Sequence, residues 1–186
     1  MTNACGSVPV DEVVAILETG RSCGITMLDT APAYGTAEGV LGRIDIASLF
    51  EVVTKTSAPL QRDGQAAGDA LVAGLRNSLE RLGRTQIDTL LLHHGGDLAG
   101  SAGLLDGLCR AKSDGLTRRI GVSVYRSDEI DIALANFTPD VVQVPLNCLD
   151  QRLLGSGHLR RLADRGVEIH ARSAFLQGLL LADPAS

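Results

Sequence analysis

At 186 residues the chain is long enough to bury one sizeable core, and one domain is the expectation at this length. Its 45% apolar and 21% charged residues exclude a disordered or low-complexity chain. A net charge of -5 with no basic cluster argues against nucleic acid or an anionic membrane surface as partner.

In chain order, the opening MTNACGSVPVDE has neither the basic nor the apolar region of a signal peptide, and no apolar stretch is long enough to span a membrane. A cytoplasmic protein is the expectation. The four cysteines, Cys5, Cys23, Cys109 and Cys148, have no metal or redox spacing and read as reduced, mostly buried thiols. Residues 1–9 read as a loop. Asp11 is placed to cap a helix over Glu12–Ser22, which Gly24 ends. Ile25–Leu28 reads as a buried strand that stops at the carboxylate of Asp29. Pro32, Tyr34 and Gly35 make a turn. Thr36 is then the expected N-cap of a helix with Glu38 in its first turn.

The pattern repeats. Val52 and Val53 form an apolar run ending at Lys55, and a loop over Thr56–Gly64 leads to a helix whose Leu71, Leu75, Leu79 and Leu82 share a face. Gly83 stops it. Ile87–Leu92 ends at His93 and His94, and Leu104–Ser113 is the next helix. Ile120–Val122 ends at Ser123, with a helix from Ser127. Val141–Val144 contains Gln143. A helix over Arg152–Arg165 leads to Val167–Ala171, which ends at Arg172 and Ser173.

Strict alternation of short apolar strands with helices means an α/β fold with a parallel sheet buried on both faces. A doubly wound sheet would gather its site at one switch point. A (β/α)8 barrel of TIM type puts functional residues at the C-terminal ends of many strands. Asp29, Lys55, His93, Ser123, Gln143 and Ser173 fall at or near a strand end, one per strand, and no GxGxxG follows any strand. The barrel is the better reading.

A free phenol has a pKa near ~10. An ammonium beside Tyr34 would favour the phenolate, and Asp29 would hold that ammonium on Lys55. His93 could then orient a carbonyl or relay a proton. The set suits a general acid that protonates an oxygen while a hydride reaches carbon, and the hydride needs a nicotinamide. Taken singly, the same residues read as structural: Asp29 with Lys55 as a buried salt bridge, Tyr34 as turn filler, Ser123 and Gln143 as backbone partners. His93 and His94, as strand neighbours, should point to opposite faces. His158 and His170 have no ligand spacing with them, so no metal site is expected.

The segments that carry these residues resemble the aldo-keto reductase family. DTAPAYGTAEGVLG resembles the family's strand signature with its Asp and catalytic Tyr. VVTKT resembles the lysine strand, and SLERLGRTQIDTLLLHH the helix and strand that present the histidine. The resemblance implies catalytic roles for Asp29, Tyr34, Lys55 and His93. IGVSVY and VVQVPLN imply that Ser123 and Gln143 hold a nicotinamide carboxamide. ARSAFLQGLL implies cofactor contacts for Arg172, Ser173, Phe175 and Gln177. NADP(H) is the implied cofactor, with NAD(H) open, and a small carbonyl compound or sugar the implied substrate, in either redox direction.

Three departures accompany it. Val124 stands where the family usually has Asn. Arg172 stands where many members stack a Tyr under the nicotinamide. The barrel is expected to be incomplete, with about six βα units over residues 1–186 as one domain and the first and last strands missing. Its flanking strands would be open edges, so self-association and weak NADPH binding are expected of residues 1–186 alone. A non-catalytic fragment or regulatory relative is the alternative.

Overall fold

Six strands pair in parallel in the computed structural model, in the sequence order β1 to β6, with helices between them. The structure describes residues 8–57 and 64–181. The strands are β1 (Met27–Asp29), β2 (Glu51–Lys55), β3 (Ile87–Leu92), β4 (Thr117–Ser123), β5 (Val141–Pro145) and β6 (Glu168–Arg172). The helices are α1 (Val10–Ser22), α2 (Ala37–Leu41), α3 (Gln65–Leu82), α4 (Ala102–Ser113), α5 (Ser127–Asn136), α6 (Arg152–Gly155) and α7 (His158–Ala163). This is an arc of a (β/α)8 barrel, as expected. Sequential order follows because each crossover returns its strand beside the one before it.

Alternation within the strands sorts the two faces. Val52, Leu90, Leu92, Val122, Val142 and Val144 face outward into the main core beneath the helices. Val53, Leu91 and Val141, with Met27, form a separate apolar cluster, consistent with the inner face of the arc. The leucine stripe of α3 is fully buried. Each of those side chains is worth about 1.5–3 kcal/mol of burial. Gly83 closes α3 in the left-handed conformation, φ 63°.

Two polar ties cross the inner face between strands that are not neighbours in the sheet. At one end Arg119 on β4 donates to Glu168 on β6 (2.6 Å) and Glu51 on β2 (3.5 Å). At the other, Gln143 Nε2 on β5 donates to Asp29 Oδ1 on β1 (3.0 Å). A flat sheet would hold β1 and β5 far apart, so the second tie requires the curl.

Several local expectations are corrected. Pro9, not Asp11, is the N-cap of α1, and Asp11 lies inside the first turn, where its charge meets the helix N-terminus. Thr36 is the N-cap of α2 but makes no side-chain cap bond. The helix expected over Arg152–Arg165 is split into α6 and α7 at Gly157, φ 78°, which breaks the helical path. Short 3-10 turns at Asp45–Leu49, Gly95–Leu98 and Leu176–Leu181 had no periodic signal to announce them. Cys23, Cys109 and Cys148 are exposed, not buried; composition cannot tell which face of a helix or loop a thiol takes. Cys5 and most of the Thr56–Gly64 loop lie outside the described residues.

Burial on both faces holds for β3 and β5 throughout. It fails at the arc's ends. β1 is only partly covered, and no residue of β6 is fully buried: Glu168 and Ala171 are exposed and Ile169, His170 and Arg172 half-buried. Among the described residues both have a strand on one side only, and β6 is less apolar than its Val167–Ala171 reading suggested.

Candidate functional site

Strand ends bring the polar set together. Lys55 closes β2 and its side chain is 1% exposed. Its ammonium donates to Asp29 Oδ1 at 2.7 Å, Asp29 Oδ2 at 2.9 Å and the Thr30 carbonyl at 3.0 Å. All three donors are used, so Lys55 acts on anything else by charge alone. Asp29 closes β1 and its side chain is 40% exposed. The expected buried pair is therefore a buried cation with a partly wet anion.

Tyr34 lies in the turn between β1 and α2, 44% exposed. Lys55 Nζ is 5.1 Å from its ring centroid. The His93 ring stands edge-on to it, with centroids 6.3 Å apart. β3 ends at Leu92, so His93 and His94 follow the strand rather than belong to it. They do not point to opposite faces; their rings stack at 5.0 Å with a 14° interplanar angle. His93 is held below the usual imidazole pKa, first by burial, then by the neighbouring charges of His94 and Lys55. It is neutral at neutral pH. Its buried Nδ1 has no hydrogen-bond partner among the described residues. The His93 backbone N–H donates to Thr56 Oγ1 at 3.1 Å, fixing the turn.

Ser123 and Gln143, both buried, pair across β4 and β5. Ser123 Oγ donates to Gln143 Oε1 at 3.3 Å, and Gln143 in turn reaches Asp29. Asp29, Tyr34, Lys55, His93, Ser123 and Gln143 thus form one constellation. Arg172 joins it through a stack that the sequence reading missed. Its guanidinium carbon lies 4.0 Å from the Tyr125 ring centroid, and the Tyr125 ring lies 6.4 Å from His94. Arg172 also donates to the Val124 carbonyl at 3.0 Å. Tyr125 is one of only two tyrosines in the chain and sits two residues after Ser123, a signal that was available. Ser173 and Phe175 follow β6 at the same end; Phe175 is 73% exposed, and neither bonds to the constellation. The Gln177 side chain lies outside the described residues.

For a nicotinamide, the donor set is the test. A buried hydroxyl and a buried primary amide, side by side at strand ends, match a neutral carboxamide rather than a charged group. The residues present fit that end of the cofactor. A cavity of about 300 Å³ lies away from the constellation, lined by Leu28, Leu41, Ile44, Val52, Leu82 and Arg84, and contains none of these residues. Among the described residues, no cluster of three or more His, Cys, Asp or Glu is placed to hold a metal, and no helix is long and apolar enough to cross a membrane.

Known proteins resemble this chain in sequence and in fold. An aldo-keto reductase from Mycolicibacterium vanbaalenii is 38% identical over 186 aligned residues, covering 93% of this chain and 60% of that protein. A D-threo-aldose 1-dehydrogenase from a Pseudomonas species is 28% identical, covering 91% and 61%. Among solved structures, an aldo-keto reductase from Bacillus halodurans in its holo form superposes with a TM-score of 0.80 at 22% identity, covering 96% of this chain and 62% of that one. One from Klebsiella pneumoniae, in complex with NADP and acetate, gives 0.74 at 23% identity over 94% and 62%. The chain therefore spans about 60% of the length of these relatives. The family model described as "Aldo/keto reductase family" matches residues 1–184, and the chain belongs to that family.

Proposed function

We propose that this chain, as one incomplete barrel domain over residues 1–186, carries the proton-transfer half of an NADP(H)-dependent carbonyl reductase site. The observation that carries it is the full use of Lys55's donors by Asp29 and Thr30 beneath the Tyr34 ring. A fixed cation under a half-exposed phenol favours charge developing on that phenol as its proton leaves. Tyr34 is the general acid in reduction and the base in oxidation. Neutral His93 orients the carbonyl oxygen by hydrogen bonding without adding a second cation. Ser123 and Gln143 hold the carboxamide, and Arg172, propped on Tyr125, offers a flat cationic face beside it. Ser173, Phe175 and Gln177 are the proposed contacts for the rest of the nucleotide. When bound, the reduced nicotinamide supplies the hydride.

The substrate is a small aldehyde, ketone or sugar, and the compartment the cytoplasm. The proteins named above as an aldose dehydrogenase and as an NADP complex support this class. The open flanks of β1 and β6 favour self-association of residues 1–186. The test combines size-exclusion chromatography, NADPH titration and aldehyde reduction, each on the native chain and on Tyr34→Phe. The expected result is associated protein, weak NADPH binding and slow turnover that Tyr34→Phe removes. Turnover that survives Tyr34→Phe overturns the acid. NADPH binding with no turnover favours a regulatory relative, and no binding favours a fragment. A monodisperse monomer overturns the account of the edges.

A further inference from the structure

One buried acid takes no part in the chemistry above. Glu38 on α2 is 2% exposed, and both of its carboxyl oxygens are engaged. Its Oε1 accepts from Thr54 Oγ1 at 2.7 Å, and its Oε2 accepts from Arg81 Nε at 2.8 Å and Nη2 at 2.6 Å. Thr54 immediately precedes Lys55 on β2 and points to the opposite face, as strand alternation requires. Arg81 lies in the last turn of α3. The same two ends also meet by backbone: a Cβ on Gly42, just after α2, would come within 2.1 Å of the Arg81 carbonyl.

The turn that carries Tyr34 spans only from Thr30 to Thr36, between β1 and α2. Its first end is tied to β2 through Lys55, which holds Asp29 and Thr30. Its second end is tied to the same strand, one residue earlier, through Glu38 and Thr54. Both ends of the turn are thus referred to neighbouring residues of one strand. Cutting either tie frees the ring to move relative to the ammonium.

Resting on the reading of Tyr34 and Lys55 given above, we propose that Glu38 is a positioning residue: through Thr54 and Arg81 it fixes the Tyr34 turn over Lys55. The charge matters less than having one polar atom for Arg81 and one for Thr54. A glutamine can keep one oxygen for Arg81 and turn its amide N–H toward Thr54 Oγ1, which accepts.

The chain suits a direct test, because it has two tyrosines and no tryptophan. Incorporation of 3-fluorotyrosine gives two fluorine resonances, assigned with Tyr125→Phe. Glu38→Ala should shift the Tyr34 line and split or broaden it, while the Tyr125 line stays in place. Glu38→Gln should restore a single line near the native position. Thr54→Val, which removes the tie from the strand side, should reproduce the Glu38→Ala spectrum, and it serves where Glu38→Ala does not fold. Arg84→Ala is the control for general loosening nearby: it removes two bonds to the Ala47 and Phe50 carbonyls and touches neither Glu38 nor Thr54. It should leave the Tyr34 line unmoved. An unchanged Tyr34 line in folded Glu38→Ala or Thr54→Val overturns the proposal, as does an equal change in Arg84→Ala. The readout needs no turnover. If the line moves as expected while Tyr34→Phe keeps full activity, the acid assignment falls and the positioning role stands.

Discussion

Removing Asp29 should cost more stability than removing Lys55, although the two form one ion pair. In Asp29→Ala the ammonium keeps one partner, the Thr30 carbonyl, and loses two hydrogen bonds at 2.7 and 2.9 Å. Its side chain is 1% exposed, so water reaches it poorly. Gln143 Nε2 also loses its acceptor. Breaking a fully buried pair costs about 3–5 kcal/mol. The 40% exposure of Asp29 lets water enter the vacated space, which discounts that to about 2–4 kcal/mol. For a chain of this size that is a fall in Tm of about 4–16 °C. In Lys55→Met the stranded group is Asp29, which rehydrates and keeps its bond from Gln143. The thioether chain refills most of the lysine's volume, and the loss should be about 1 kcal/mol. Urea unfolding of the two single variants and the double variant measures both costs and their coupling. A Lys55→Met loss equal to or larger than that of Asp29→Ala would refute the argument, because it would mean the carboxylate is the desolvated partner.

Other perturbations test other parts. His93 has a lowered folded pKa, so the unfolded chain binds its proton first as pH falls. The native state should lose stability as pH drops below about 6.5, the ordinary value, and level off below the depressed folded value; His93→Gln should flatten that slope in urea titrations across pH 4–8. Gly121 on β4 has no room for a side chain, since a Cβ would meet the Val141 carbonyl at 1.8 Å and Leu91 at 3.1 Å. Gly121→Val should cost at least about 1–3 kcal/mol, read by thermal unfolding, and a native-like Tm would mean that β4 and β5 can part without penalty.

The fold was legible because its signals are periodic and repeated. Leucines of α3 recur on one face, apolar runs end in polar residues, and glycines such as Gly83 close helices. The constellation was legible for a related reason: Asp29, Lys55 and Ser123 close their strands and Gln143 lies two residues inside β5, so strand position alone gathers these four. What escaped depends on orientation. Nothing in the adjacency of His93 and His94 says that the strand stops at Leu92 and lets their rings stack. Nothing in a lone Arg172 says that it lies on Tyr125, because that contact joins residues 47 positions apart through side-chain directions. The uneven burial of Asp29 and Lys55 was hidden too: an open edge at the first strand was expected, but how far that edge wets one carboxylate and spares the ammonium depends on side-chain direction.

The sequential strand order has a consequence for how the site comes into being. Every sheet pairing joins one strand to the next one made. A nascent chain can therefore add units one at a time, without waiting for distant segments. The Asp29–Lys55 pair needs only the first two strands and a separation of 26 residues. The Gln143–Asp29 bond needs five strands and a separation of 114. Synthesis thus writes a timetable into the site, with the charge pair set early and the tie across the arc closing late. A ribosome-bound chain stalled between those two events should hold a lysine already clamped by its acid, with no amide yet there to donate to that acid.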